Sequence, residues 1–460
     1  MVHAVRLWTL LSATFSCALA TEVMLGRTKI IGLDSPQFKQ EFFGGIPFAS
    51  PPVGDLRFRP PIAKFTLDGP SLSATNFSAS CVQAGLPFSE ISENCLTLNV
   101  FRPAGVSSKS ELPVMVFIYG GGFVAGQSSI MNGTGLVSRS IARGTPIVFV
   151  SLNYRLGPLG FPLGDEAARN GLLNLGLHDQ LVALKWVHAN IHAFGGDPKK
   201  VAVSDREFPF APVLDGPGGL IPDYPTKRVA RGAGGKLPFL SGTVLDEGTS
   251  FTPQTLVGVT QAEAFGISLF SPSPAGTSAL QTAVQNTLAQ YSDDPADGCP
   301  YFTGNDTFGL DPEYKRTAAF VTDIGFLSLR RWFGRAAAAR GALVHSYMFT
   351  DPQPENPPQI GITHASELPY VFGGTPAGNP GAPQLSEQMM DYWISFATSL
   401  DPNDGKGSER PKWEPYTPSK EFNHANLTMI ADEFHISQTE FNDKNHFRLA
   451  IIALCVVPRW

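Results

Sequence analysis

"LHDQLVALKWVHANIHAFGGDPKKVAVS", residues 177–204, carries a helix, a turn and a strand in one run. Leu177, Leu181, Leu184, Val187, Ile191 and Phe194 recur at three- and four-residue intervals, the period of a helix with one apolar face. Gly195-Gly196 ends that helix, because glycine takes the left-handed backbone that closes helices, and Asp197-Pro198 opens a turn. "KVAVS" (200–204) then reads as a short buried strand. Upstream, "LPVMVFIYGGGF" (112–123) and "TPIVFVSLNYRLG" (145–157) are two more buried strands, rich in β-branched residues. Strands alternating with helices predict an α/β fold, with a mostly parallel central sheet covered by helices on both faces.

Beyond residue 204 the alternation stops. Ser204-Asp205-Arg206-Glu207 leads into "FPFAPVLDGPGGLIPDYP" (208–225), rich in proline and glycine and without helical period. A parallel strand needs a crossover, usually a helix that packs back onto the sheet. Residues 205–236 are long enough for one but carry almost no helical pattern, so the sheet is expected to lack a covering helix here. "LPFLSGTVLDEGTSF" (237–251) restores a strand, ending in a sharp turn at Asp246-Glu247-Gly248. Helical segments come next, around Tyr314 to Arg340, then a strand in "GALVHSYMF" (341–349). "GITHASELPYVFGG" (361–374) reads as a loop and "SEQMMDYWISFATSLDPN" (386–403) as an amphipathic helix.

The 460-residue chain is 43% hydrophobic and 16% charged, a composition for a well-buried globular protein of one or two domains. Its formal net charge of −6, with no long basic run, argues against nucleic acid as a partner. Arg6, the apolar run Leu7 to Ala18 and the small-x-small Ala18-Leu19-Ala20 predict a signal peptide over residues 1–20 and a mature chain starting near Thr21. Four Asn-x-Ser/Thr sequons, at Asn76, Asn132, Asn305 and Asn426, are candidate glycosylation sites and suit a secreted, extracellular chain. Cys17 leaves with the signal. Cys81 and Cys95 are near enough to close a small loop, which an oxidising compartment favours, or else stay as buried thiols. Nothing local supports a Cys299–Cys455 pair. The apolar tail within residues 447–460, Leu449 to Val457, is shorter than the ~20 residues a bilayer span needs.

The triplet Gly120-Gly121-Gly122 has three readings. As a dinucleotide fingerprint it fails, because no helix opens at once and the next strand ends in Ser151-Leu152-Asn153 rather than an acid. As an oxyanion hole it would direct backbone N–H groups at a developing negative charge. The third reading is a plain glycine turn. His188 and His192 lie four apart in "HANIH", but Ala189 stands where a zinc protease has its glutamate and no third ligand is apparent, so a solvent face is expected. "DPNDGKGSE" fails the spacing of a calcium loop. No metal and no cofactor are expected. His364 in its loop and Glu247 at its strand end are the types and settings of a general base and the acid that orients it, though each alone is more often structural.

Taken together, "FFGGIPFASPPVGDLRF", "SENCLTLNV", "VMVFIYGGGF", "NYRLGPLGF", "GLHDQLVALKWVHANIHAFGGDP", "LDEGTSF" and "THASELPYVFG" resemble the type-B carboxylesterase/lipase family, which includes cholinesterases and secreted lipases. The resemblance runs over roughly residues 22–440 in the family's order. It implies one α/β-hydrolase domain over 21–446 and hydrolysis of small-molecule or lipid esters by Ser-His-Glu acyl transfer. It further implies Gly121 and Gly122 as oxyanion donors, Glu247 as the acid, His364 as the base, and a Cys81–Cys95 disulfide.

The departure from the family is as specific as the likeness. After "GGDPxxV" the family continues to Gly-Glu-Ser-Ala-Gly, whereas this chain holds no Gly-x-Ser-x-Gly anywhere. Ser204 is disfavoured as a substitute nucleophile: the positions two before and two after it are Ala202 and Arg206, and the arginine would crowd the turn. The chain therefore reads as internally deleted near 204–208 and inactive as written. The alternative is a non-catalytic, cholinesterase-like binding or adhesion protein. Such a protein should lose single catalytic residues on an intact scaffold. Here acid, base and oxyanion glycines stay while a contiguous block is gone, which favours a deletion or faulty splice over adaptation.

Overall fold

The computed structural model describes residues 20–204, 212–271, 276–416 and 425–426. The expected signal peptide (apart from Ala20), the tail 447–460 and Cys455 lie outside the described residues.

The first sheet is built from β1 (Ala20–Leu25), β2 (Thr28–Ser35), β3 (Gln40–Pro47), β4 (Thr97–Pro103), β5 (Leu112–Ile118), β6 (Val148–Leu152) and β7 (Gly196–Ser204). Their spatial order is β1-β2-β3-β4-β6-β5-β7, with the short strand Ser71–Ser73 beside β2. β1 to β4 pair antiparallel and β4 meets β6 antiparallel, while β6, β5 and β7 run parallel. The sheet is thus mixed, and the parallel part is the part that leads to the glycine triplet. The connections fit: β1 to β3 are joined by turns, which suit antiparallel pairs, a long irregular segment leads from β3 to β4, and helices precede the parallel strands β6 and β7.

α1 (Thr134–Ala142) connects β5 to β6, and α2 (Leu175–Asn190) precedes β7. Of the expected stripe, Val187, Ile191 and Phe194 are fully buried in the first core, while Leu177, Leu181 and Leu184 are half-buried and Trp186, outside the stripe, takes the buried place beside Val187. His188 and His192 are exposed. Asn174 at the start of α2 receives the segment beyond β7: its Nδ2 donates to Val213 O (2.8 Å) and Asp215 Oδ2 (3.0 Å), and its Oδ1 accepts from Val213 N (2.9 Å). The only helix between β7 and the next strand, among the described residues, is the short turn Pro225–Ala230.

A second, three-stranded parallel sheet holds β8 (Phe239–Val244), β9 (Val344–Phe349) and β10 (Ala425–Asn426), in that order. Between β8 and β9 come α3 (Gly258–Leu269), α4 (Thr277–Leu288), α5 (Pro312–Thr322) and α6 (Ser328–Ala338), the last two joined through a π-turn at Asp323–Leu327. α7 (Ala382–Ser399) comes after β9. Among the described residues, β7 pairs only with β5, and β8 only with β9. Among the described residues the strands thus form two sheets rather than the one central sheet expected. Val203 on β7 is 49% exposed, whereas Val116 and Val150 on the neighbouring parallel strands are 0% exposed.

Two apolar cores result, one on each sheet, and α7 joins them. Met390, Ile394 and Ala397 pack into the first core, and Leu385, Met389 and Tyr392 into the second. Phe372 and Trp393 touch both. No helix among the described residues is long and apolar enough to cross a membrane.

Candidate active site

Glu247 sits three residues past the end of β8, in the turn Glu247–Ser250, and its side chain is buried. Its Oε1 accepts from the Val244 amide (2.9 Å), which ties the carboxylate back to the strand. Its Oε2 lies 2.5 Å from His364 Nδ1. The loop that carries His364 comes after β9, so two neighbouring parallel strands deliver the pair from their C-terminal ends. That is where α/β sheets place their sites. Ala365, directly after His364, has φ +73°, a left-handed conformation that costs a non-glycine residue free energy and recurs at functional sites. The Phe251 and Phe326 rings flank the imidazole at centroid distances of 5.2 and 5.3 Å. Phe326 lies on the π-turn, a local helix distortion that is frequent at functional sites.

Beside the pair lies Asp246, fully buried. Its Oδ1 accepts from Tyr301 N (2.9 Å) and Cys299 Sγ (3.2 Å), and its Oδ2 accepts from Ile362 N (2.8 Å). Its own amide donates to Ile362 O (3.0 Å). Burial pushes the Asp246 carboxyl up to about 6, against the opposing pull of the Tyr301 and Ile362 amides. Thr249 adds to the same seam, donating to Ile360 O (2.8 Å) and meeting Thr363 Oγ1 (2.9 Å). In the sequence Asp246 stands only as a flank of Glu247, and nothing in one dimension points to Cys299, Tyr301 or the two phenylalanines.

The glycine triplet comes after β5. Gly121 has φ +123° and Gly122 +64°, which glycine accepts without strain, and Phe123 continues the run at +59°. A Cβ on Gly121 would stand 2.2 Å from Ala125 O. The Gly121 carbonyl accepts from Ala125 N (3.0 Å), and among the described residues the Gly121 and Gly122 amides donate no hydrogen bond. The loop is held from outside. Gln83 clamps Gly126 in both directions, at 2.8 and 2.7 Å, and Ser128 N donates to Asn153 Oδ1 (2.9 Å). Behind it, Tyr119 and Tyr154 stack at 4.6 Å, and each hydroxyl donates to the other residue's carbonyl (3.1 and 3.0 Å).

Cys81 and Cys95 are joined in a disulfide, with their Cα atoms 5.0 Å apart. Cys299 is a buried free thiol. Asn76, Asn132 and Asn305 are exposed, and Asn426 falls in β10 with its side chain outside the described atoms. Ser204 ends β7; its side chain is likewise not described.

The sequence profile of the carboxylesterase family matches this chain in two stretches, residues 20–204 and 202–446. Lipase 1 of Geotrichum candidum is 30% identical over 553 aligned residues, covering 90% of this chain and 94% of that protein. Secreted lipase 1 of Botryotinia fuckeliana (strain B05.10) is 30% identical over 495, covering 82% and 84%. The crystal structure of Aspergillus niger EstA matches the fold with a TM-score of 0.76 at 24% identity, covering 93% of this chain and 98% of that one. With a family match over most of its length and an esterase of like fold beside it, the chain belongs to the carboxylesterase family and has the α/β-hydrolase fold.

Proposed function

We propose that this chain is, by descent, a secreted hydrolase of small-molecule or lipid esters whose nucleophile has been removed together with the segment around it. The observation that carries the catalytic part is the contact between Glu247 Oε2 and His364 Nδ1 at 2.5 Å. A carboxylate on Nδ1 fixes the tautomer and leaves Nε2 to take a proton from a serine and return it to the leaving alcohol. Gly121 and Gly122 supply oxyanion N–H groups, and Cys81–Cys95 braces the chain before β4. Asn76, Asn132 and Asn305 are exposed enough to carry glycans, with Asn426 the fourth sequon. Residues 21–446 form one domain, interrupted near 204–208.

Three observations support the removal. The family profile breaks at residues 202–204, where one matched stretch ends and the other begins. The alignment to the Geotrichum lipase, at 553 positions, is longer than the whole 460-residue chain, so that relative carries residues without a counterpart here. Val203 is half exposed at the point where the sheet divides. The retained acid–base pair weighs against a binding or adhesion protein, which has no use for it.

Loss of a triad serine lowers kcat by about 10⁶, with slight residual catalysis from the oxyanion hole. The chain should show almost no turnover of short p-nitrophenyl esters and no labelling by a fluorophosphonate. Inserting a Gly-x-Ser-x-Gly segment with its own helices after Val203 should restore both. Robust labelling at Ser204 in the uncompleted chain would overturn the reading. A transcript read across codons 195–215 separates a true deletion from a faulty splice.

A further inference from the structure

We infer that Asp246 is a positioning residue for His364: its buried carboxylate fastens the histidine loop to the strand-end turn that carries Glu247. The inference rests on Glu247 and His364 being the acid and base proposed above.

The geometry is that of a clamp with three arms. One arm is the strand-end turn, of which Asp246 is itself part, next to Glu247. The second is the histidine loop, gripped two residues before His364 by a reciprocal pair: Ile362 N to Asp246 Oδ2 at 2.8 Å and Asp246 N to Ile362 O at 3.0 Å. The third is the segment at Cys299–Tyr301, held through Oδ1. Gly361 is open to this grip because it lacks a side chain: a Cβ there would stand 2.4 Å from Asp246 Oδ2, at φ +54°. Cys299 and Tyr301 are themselves buried in the second core, so the carboxylate refers the histidine loop to that core rather than to solvent. Glu247 by contrast is fixed by its own strand through Val244 N. Glu247 is thus anchored to its own strand and the histidine loop to the turn, with Asp246 the buried carboxylate anchor on the histidine side and Thr249 beside it through Ile360 O and Thr363. A buried carboxylate that accepts three hydrogen bonds is costly to remove, because each donor would be left unpaired. Asparagine keeps the shape but offers one acceptor where two oxygens now serve three donors.

The test uses the chain as it stands, labelled with ¹⁵N-histidine, and reads the downfield proton of the His364 Nδ1–H held by Glu247. The resonance is assigned by its absence in Glu247→Ala, which removes the acceptor. Asp246→Asn should give a protein with native far-UV circular dichroism in which that resonance is lost, while Cys299→Ala, which spares both backbone donors, should keep it. A carboxylate with only a structural role would lower the unfolding temperature and leave the resonance of the folded molecules where it was, and that result would overturn the inference. Should Asp246→Asn fail to fold, Gly361→Ala presses on the same oxygen from the loop side. Loss of the resonance there supports the clamp, and retention overturns it. Absence of the resonance from the unsubstituted chain would also overturn it, since no imidazole held by Glu247 would then exist to position. These readings need no turnover, so they are distinct from failure to recover hydrolysis after the elbow is restored.

Discussion

With the sheet divided between β7 and β8, α7 and the side chains it carries join the two halves, together with Phe372, and Asp391 is the place to test that join. Its side chain is fully buried on α7. It accepts from Arg139 of α1 at 2.9 and 2.7 Å, and from the Ser408 amide and hydroxyl at 2.5 and 2.7 Å. Arg143 and Arg410 stand 3.7 and 3.8 Å away, and both also reach Asp404. Burial alone would raise the Asp391 carboxyl, but the hydrogen bonds from Arg139 and Ser408 outweigh it and hold the group below its ordinary 3.8. Asp391→Asn keeps the volume and removes the charge. Arg143 and Arg410, both buried, are then left with Asp404 as their one carboxylate among these contacts. Breaking a buried ion pair from one side costs about 3–5 kcal/mol, and because Asp404 remains we expect the lower end, about 3 kcal/mol. Equilibrium urea unfolding at pH 7 measures it. A carboxyl with a depressed folded pKa contributes stability above its unfolded value and loses it as pH falls through the folded one. The gap between wild type and Asp391→Asn should therefore narrow below about pH 4. A gap under about 0.5 kcal/mol at pH 7, the size of an ordinary surface substitution, would refute the argument.

Peptide mapping without reduction should recover the Cys81 and Cys95 peptides linked. Replacing both with alanine should cost about 3 kcal/mol in urea unfolding, the value for a loop of this length; unlinked peptides would count against it. The pH dependence of Asp246 has the opposite sign from that of Asp391. Its pKa is raised in the folded chain, so it binds more protons folded than unfolded between 3.8 and about 6, and its contribution falls as pH rises through that window. The cost of Asp246→Asn relative to wild type should thus shrink from pH 4 to pH 6 by up to about 3 kcal/mol and stay flat above, with an unchanging difference as the contrary result.

The fold was legible wherever one chain segment decides its own environment. The 3.6-residue spacing from Leu177 to Phe194 marked a helix without distant information, though only its later members, Val187, Ile191 and Phe194, are fully buried, and β5 to β7 announce themselves by β-branched runs. The antiparallel half of the sheet was less legible, because parallel and antiparallel strands differ in partners rather than in residues. The candidate site divides the same way. Glycines with positive φ and a strand-end acid leave local marks, and the order of the family motifs joined them. Asp246 left none: its meaning depends on Cys299, Tyr301 and Ile362, which are brought to it only by the packing of the second core and the descent of the histidine loop from β9. A buried carboxylate among backbone donors looks in sequence like any turn aspartate.

This difference in legibility bears on why so much survives the proposed loss. Each half of the candidate machinery is anchored within one core. The glycine loop is braced by Gln83, Asn153 and the Tyr119–Tyr154 stack, all on the first sheet's side. Glu247 and His364 are braced by Val244 and by Asp246 with its partners, all on the second. Neither set takes a hydrogen bond across the break among these contacts, so the proposed removal of a strand–turn–helix from between them would leave both sets in place. The proposed loss would take away the element whose serine stood between the two. Val203, and Leu237 before β8, which is 72% exposed, are the apolar side chains that such an element is proposed to cover. Restoring it should therefore cover those side chains as well as supply the nucleophile. A completed chain that regained fluorophosphonate labelling yet left the Val203 side open would mean that the inserted segment had docked elsewhere.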